Sequence, residues 1–364
     1  MWCTGLPTFL ACVFVIGTAV AEPIRIGAIL PLTGPAARIG AQQAHGIQFA
    51  IDRMNASGGV RGHRIEVVFE DNQAQPDQSI LDFNKLTDQL HVQVIFTAFS
   101  VPTLAMAPLA TRKKILLINA GAQADRLSIA SPYLFNTLPT ISDEVGIITK
   151  YLVSQGKIKA VILFEGDAGG ISARDDYLDA FPKVGGAVVA QETTGFGQTD
   201  FRPELSKLTD AKPDVMLVAI TTNLVNLARQ YKQLGLPFTV AGTSFFQDPD
   251  LLADPSSEGF VHSQVRIEAP PELRAEFKQK YGDDMGFNAR QYYNASQIVV
   301  TAMARLIADG HPITGENMRT AIFSIRDFHG LIPLEFKTNT ATVPIDINII
   351  HDGEDVTIQR MNAN

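Results

Sequence analysis

The sequence predicts an α/β protein built as two doubly wound lobes joined by a hinge. Short apolar runs alternate with amphipathic segments, and the alternation restarts near residue 160. The 364 residues are enough for two domains, each with its own core. The composition is 46% hydrophobic and 19% charged, which is ordinary for a globular chain. Lys+Arg number 30 against 38 Asp+Glu, without long runs of either sign, which excludes the electrostatic footprint of a nucleic-acid binder.

In the first half, Ile24–Leu30, Arg64–Glu70, Val92–Thr97 and Ile115–Asn119 read as buried strands. Ile39–Met54, Gln78–Gln89 and Thr103–Thr111 read as the helices between them, with Pro102 as a start signal for the third. In the second half the strands are Ala160–Phe164, Ala187–Gln191, Asp214–Ala219 and Thr239–Ala241. Their helices are Ser172–Phe181, Arg202–Thr209 and Leu224–Gln233. The order β-α-β-α-β is that of a parallel sheet covered on both faces. Pro270–Gly282, Ala289–Ala308 and Asn317–Ile322 are helical, and strands Asp346–Ile350 and Val356–Gln359 flank an Asp352-Gly353 turn.

Residues Met1–Ala21 carry no charged side chain. Their apolar run, about Thr8 to Ile16, is too short for a permanent membrane span. Ala19 and Ala21 supply the small residues of a cleavage site, so the segment reads as a signal peptide that leaves Glu22 as the mature N-terminus. Leu10-Ala11-Cys12 resembles a lipidation site, but the apolar stretch runs on past it. Cys3 and Cys12 both lie in this leader, so the mature chain is expected to be exported and soluble, without disulfides, Cys-ligated zinc or a cysteine nucleophile.

Enzyme signatures fail in turn. There is no G-x-x-x-x-G-K-[ST], no H-E-x-x-H and no C-x-x-C, and the seven His contain no i,i+4 pair. Gly242-Thr243-Ser244-Phe245-Phe246 lacks the last Gly of a nucleophile elbow. No cofactor or metal is implied. Loops at the carboxyl ends of the predicted strands are the informative feature, because helix N-termini present free N–H groups there. Leu32-Thr33-Gly34-Pro35, Phe99-Ser100-Val101-Pro102 and Asn119-Ala120-Gly121-Ala122-Gln123 are three such loops, small and hydroxyl-bearing, as a carboxylate requires. Ser100 has a plainer reading as a helix cap.

Ile24-Arg25-Ile26-Gly27-Ala28, Gly34-Pro35 and the stretch Asn55-Ala56-Ser57-Gly58-Gly59-Val60-Arg61-Gly62 carry a resemblance. With Asp71, Pro76 and Gln78, they make the chain similar to the periplasmic leucine/isoleucine/valine-binding protein family of ABC transporters, down to Leu334-Glu335-Phe336. The resemblance implies a type I periplasmic-binding (Venus-flytrap) fold with three hinge crossings. Lobe 1 would comprise 22–140 and 266–333, and lobe 2 would comprise 141–265 and 334–364. It also implies a non-enzymatic, periplasmic, monomeric protein that delivers a small carboxylate ligand to a membrane permease. A ligand-sensing receptor subunit is the alternative, and an exported hydrolase using Ser100 or Ser244 is a third.

The candidate ligand contacts are Ile39, Ser100, Gly121, Ala122 and Gln123 in the first lobe, and Asp167, Thr221, Ser244 and Phe245 in the second, of which Ser100, Gly121, Ala122 and Gln123 match the family's carboxylate site residue by residue. Gln123 stands where the family usually has Thr. Ser244 stands where amino-acid binders keep an acid for the ammonium group, and Gly169 where an aromatic ring is common. The ligand is then either an amino acid whose ammonium is met by Glu165, Asp167 or Asp248, or a carboxylate without an amine, aliphatic or aromatic. Phe245 and Phe246 wall the pocket or belong to the core. Arg290, Tyr292 and Tyr293 face the cleft or pack between the lobes.

Overall fold

A computed structural model describes residues 1–2, 22–326 and 328–360. Beyond its first two residues, the expected leader, with Cys3, Cys12 and the cleavage site, lies outside the described residues. The first half forms β1 (Ile24–Leu30), α1 (Ala37–Ala56), β2 (Ile65–Asp71), α2 (Pro76–Asn84), β3 (Val94–Thr97), α3 (Ser100–Lys113), β4 (Leu116–Asn119) and β5 (Leu134–Asn136). These strands make one parallel sheet in the order β2-β1-β3-β4-β5. Their inner members are mostly apolar, as strands covered on both faces must be, with Arg25 exposed near the start of β1 and Thr97 and Asn119 at the carboxyl ends of β3 and β4.

The second half forms α4 (Ile141–Ser154), β6 (Lys159–Glu165), α5 (Ala168–Lys183), β7 (Ala187–Thr194), α6 (Arg202–Asp210), β8 (Val215–Ala219), α7 (Leu224–Gln233), β9 (Thr239–Gly242), α8 (Pro249–Ala253) and β10 (Val261–Val265). The chain ends with α9 (Pro271–Tyr281), α10 (Phe287–Ala308), α11 (Gly315–Ser324), the short hairpin β11 (Glu335–Phe336) and β12 (Ala341–Thr342), then β13 (Ile345–His351) and β14 (Glu354–Gln359). The second sheet is mixed, in the order β14-β13-β10-β9-β8-β6-β7, with β13 antiparallel to β10 and to β14.

Among the elements that escape the periodicity, besides the short α8, β11 and β12, are α4, β5 and β10. α4 carries its apolar residues at helical spacing (Ile141, Val145, Ile148, Leu152), but Gly146 and β-branched residues dilute its propensity. β5 is three residues long, too short to show a period. β10 reads Val-His-Ser-Gln-Val, and all five residues are buried, so polarity hides the strand. The expected helix Gln78–Gln89 is α2 followed by a turn of π-helix, Lys85–Gln89. The break expected at 333/334 falls later. Leu334, Phe336, Ala341 and Val343 belong to the first sheet's core, and Asn136 bridges to Thr340. The chain therefore rejoins the second sheet only at Ile345.

Both sheets turn their carboxyl edges toward the gap between them. Strand order reverses at β1/β3 in the first sheet and at β6/β8 in the second, and the loops that follow those strands open there. Helix α10 packs along α1 so closely that a Cβ on Gly46 would stand 2.3 Å from the carbonyl oxygen of Ala289. Gly46→Ala is therefore expected to cost about 1–3 kcal/mol through forced separation of the two helices. Thermal unfolding should show a melting temperature several degrees lower, and an unchanged one would mean that the helices part freely.

Candidate functional site: the cleft between the sheets

The loops after β3, β4, β6, β8 and β9 converge on a cavity of about 40 Å³. One ordered water needs only ~10–15 Å³, so there is room for a small ligand's polar end and part of its body. Ser100, Gly121, Ala122 and Gln123 line it from one side, and Asp167, Gly169, Thr221, Thr243 and Phe245 from the other. Phe99, Ala124, Ile141, Ala173, Ala219 and Ile220 make most of the remaining wall apolar. No Lys or Arg lines it.

Ser100 opens α3, which has no side-chain cap. Its hydroxyl makes no hydrogen bond among the described residues, and the N–H groups of Ser100 and Val101 lack intrahelical acceptors, Pro102 having no N–H and Thr103 bonding to the Phe99 carbonyl. Phe99, just before it, has φ +61°, ψ 141°, a backbone setting that nothing in the sequence announces. Asp167 caps the facing helix α5, with Oδ1 accepting from the Gly170 N–H at 2.8 Å. Burial pushes its carboxyl above the usual range, against the pull of those backbone hydrogen bonds. A Cβ on Gly169 would lie 3.4 Å from the Ser100 Oγ and 3.5 Å from the Asp167 Oδ1, so hydroxyl and carboxylate are within about 7 Å of each other.

Several expected donors are occupied. The Asn119 Oδ1 accepts from the N–H groups of Gly121 (3.1 Å) and Ala122 (2.9 Å), so these amides stabilise their own loop. The Gln123 Nε2 donates to the Glu144 Oε1 at 2.6 Å and to the Pro139 carbonyl at 3.2 Å. Ser244, expected among the ligand contacts, is fully buried beneath the cavity. Its N–H and hydroxyl both donate to the Glu144 Oε2 at 2.8 Å, and its oxygen accepts from the Val265 N–H. Ile39 also lies outside the cavity, in a groove nearer the cleft mouth with Pro35 and Arg38. Phe246 is core, against Phe260. The Tyr292 hydroxyl donates to the Thr97 carbonyl at 2.6 Å, Tyr293 packs on Phe49, and Arg290 donates to the Gln247 Oε1. None of the three reaches the cavity.

Two of the three acids adjacent to the expected ammonium position are spent elsewhere. Glu165 is buried and accepts from the hydroxyls of Thr221 (2.7 Å) and Thr222 (2.5 Å). Asp248 caps α8 and pairs with Arg38. Asp167 is the one that lines the cavity. Glu144 went unnoticed in the sequence, although Thr140-x-x-Asp143 ahead of an apolar run is a helix-start signal that exposes α4 and the acid on it. Burial raises the carboxyl of Glu144, and hydrogen bonds from Gln123, Ser244 and Ser263 counter that shift.

This geometry defines a two-walled trap, with ligand-facing groups on the carboxyl edges of two parallel-stranded sheets. The comparisons agree. Residues 23–347 match the family model of the periplasmic binding proteins, and the chain belongs to that family. Over 294 residues it is 25% identical to the leucine-, isoleucine-, valine-, threonine- and alanine-binding protein of Pseudomonas aeruginosa, covering 78% of this chain and 79% of that one. A solute-binding protein of an ABC transporter from Rhodopseudomonas palustris, solved with 3,4-dihydroxybenzoic acid, is 27% identical with a TM-score of 0.85. That match covers 94% of this chain and 98% of the other. A leucine-binding protein from Thermotoga maritima shares the fold at TM-score 0.81 and 19% identity, over 93% of this chain and 99% of that one. The chain is a solute-binding protein and not an enzyme.

Beside the cavity the two walls also meet through acids. The Asp125 N–H donates to the Ser172 Oγ at 3.2 Å, and the Asp125 carboxyl faces Asp176 on the next turn of α5. Arg174 is engaged with Asp175 and Lys183 with Asp179, so neither cation serves this pair. Burial, then the Asp125 charge, pushes the Asp176 carboxyl up to about 7. A carboxyl raised in the folded state contributes stability below its unfolded value, and that stability is lost as pH rises through 7. The melting temperature should therefore fall between pH 5 and pH 8. Asp176→Asn should flatten that fall by raising the value at pH 8, and an unaltered profile would separate the two acids.

Proposed function

We propose that this chain is the extracytoplasmic receptor of an ABC importer, exported by residues 1–21, and that it closes on a small carboxylate with an apolar body and presents it to a permease. The preferred ligand is an α-amino acid of the branched-chain type. Its carboxylate meets the Ser100 hydroxyl and the uncapped start of α3, its ammonium meets Asp167, and its side chain lies among Phe99, Ile141, Ile220 and Phe245.

The observation that carries this reading is the closeness of Asp167 to Ser100 in a cavity without a cation. An α-amino acid spans that gap with one hydrogen bond of about 2.8 Å at each end. A ligand carboxylate without its own cation would face the Asp167 carboxylate in a poorly hydrated site, at a cost of several kcal/mol.

The relative that holds 3,4-dihydroxybenzoic acid favours a second reading, an aromatic acid. Asp167 must then be protonated in the complex. Because its carboxyl is raised in the folded protein, such binding is full at low pH and is lost as pH rises through that value.

A thermal-shift panel of branched-chain amino acids, their desamino analogues and hydroxybenzoates separates the two. A ligand at about 100 times its dissociation constant stabilises by about 2.7 kcal/mol. Asp167→Asn should weaken amino-acid binding roughly a hundredfold, whereas under the aromatic reading it strengthens binding and removes the pH dependence. Ser100→Ala should cost either ligand about tenfold, roughly 1.4 kcal/mol. Unchanged affinity in calorimetry would place the carboxylate elsewhere.

A further inference from the structure

The loop between β7 and α6 reaches out of the second sheet and packs against the core of the first. Phe196, on this loop, packs against the cluster that covers the first sheet, edge-on to Phe99, with ring centroids 5.8 Å apart and an interplanar angle of 86°. Gly197, at φ +78°, lies flat on Pro35, where a Cβ would stand 2.7 Å from the proline Cβ.

The loop is built to hold this shape. The Gly197 N–H donates to the Thr222 Oγ1 at 3.0 Å, and the Asn223 Nδ2 donates to the carbonyls of Gly197 and Gln198 at 3.0 and 3.1 Å. Thr222 in turn donates to the buried Glu165. The finger is thus anchored to the same carboxylate that orders the loop after β8.

Phe99 lines the ligand cavity and Phe196 does not. Phe196 therefore joins the two walls from outside the cavity, on the far side of the Phe99 ring that lines it. The other ion-pair contact at the mouth, Arg38 with Asp248 and Asp250, involves a guanidinium that is 44% exposed. Exposed ion pairs contribute little, and an aromatic pair of one buried ring, Phe99, and one half-buried ring, Phe196, contributes more.

We propose that the 195–200 loop is a ligand-independent clasp, in which Phe196 sets the closed fraction of the empty protein and so scales the affinity for every ligand by one common factor. The proposal rests on the reading above, that the cleft closes on its ligand. The apparent dissociation constant is the intrinsic one divided by the competent fraction, so a change in that fraction does not discriminate between ligands.

The test compares wild type, Phe196→Ala and Gly197→Ala. Small-angle scattering of the empty protein reads the closed fraction, and calorimetry reads two unlike ligands, for example leucine and threonine. Both variants should enlarge the empty protein and weaken both ligands by the same factor, about tenfold. Unchanged scattering would overturn the clasp, as would factors that differ between ligands, which would put Phe196 in the pocket. Should wild type bind neither probe, the ligand reading fails, while the scattering still decides the clasp. Gly197→Ala keeps the ring, so a folding defect confined to Phe196→Ala leaves a variant in hand that decides the same question.

Discussion

The closed cleft brings two helix N-termini, α3 and α5, against each other with a single side-chain carboxylate between them. Each terminus carries roughly half a positive charge in unsatisfied N–H groups. Asp167 caps α5 and is close enough to α3 to moderate both, but its free oxygen cannot also satisfy the amides beside Ser100. A second anionic group is what the arrangement lacks. In the proposed reading a carboxylate ligand supplies it, and its arrival turns mutual repulsion of the two termini into shared attraction. Closure and anion capture are in this sense one event.

The remaining polar chemistry around the cavity is devoted to rigidity. Glu144 and Glu165 are buried acids without cation partners, each satisfied by hydroxyl and amide donors. Such groups are costly to bury, and removing the Gln123 side chain would leave the Glu144 Oε1 without a donor. Their effect is to immobilise Gln123, Ser244, Thr221 and Thr222. The cavity floor is thereby held in one conformation, while Ser100, Thr243 and one oxygen of Asp167 stay free of protein partners.

The sequence made the inner strands legible because a strand buried on both faces is a plain apolar run. Ile24–Leu30 is β1 to the residue. It hid β10, because His262, Ser263 and Gln264 occur where the chain crosses between sheets and their buried polar groups pair with the α4 acid and with β13 and β14. The cavity walls were legible as far as topology reaches. Loops at the carboxyl ends of strands must open on the cleft, and Ser100, Asp167, Thr221 and Phe245 do line it. What could not be read was competition for donors. Glu144 takes the side chain of Gln123 from 21 residues away and Ser244 from 100 residues away. No local pattern encodes such a pairing.

The relatives share one scaffold and yet include a binder of amino acids and a binder of an aromatic acid. The arrangement here explains how so small a change in the walls redirects the ligand. In the proposed reading the carboxylate is held by a helix start, which is backbone, together with one hydroxyl. What lies opposite depends on one or two side chains. With an ionised Asp167 and a bare Gly169, the site asks for a cation next to the carboxylate and leaves the space beyond to an apolar body. A protonated acid at the same place asks only for an acceptor, which an aromatic carboxylate provides. Under the proposed reading, ligand class then follows from the charge of a single group, one whose burial already raises its carboxyl.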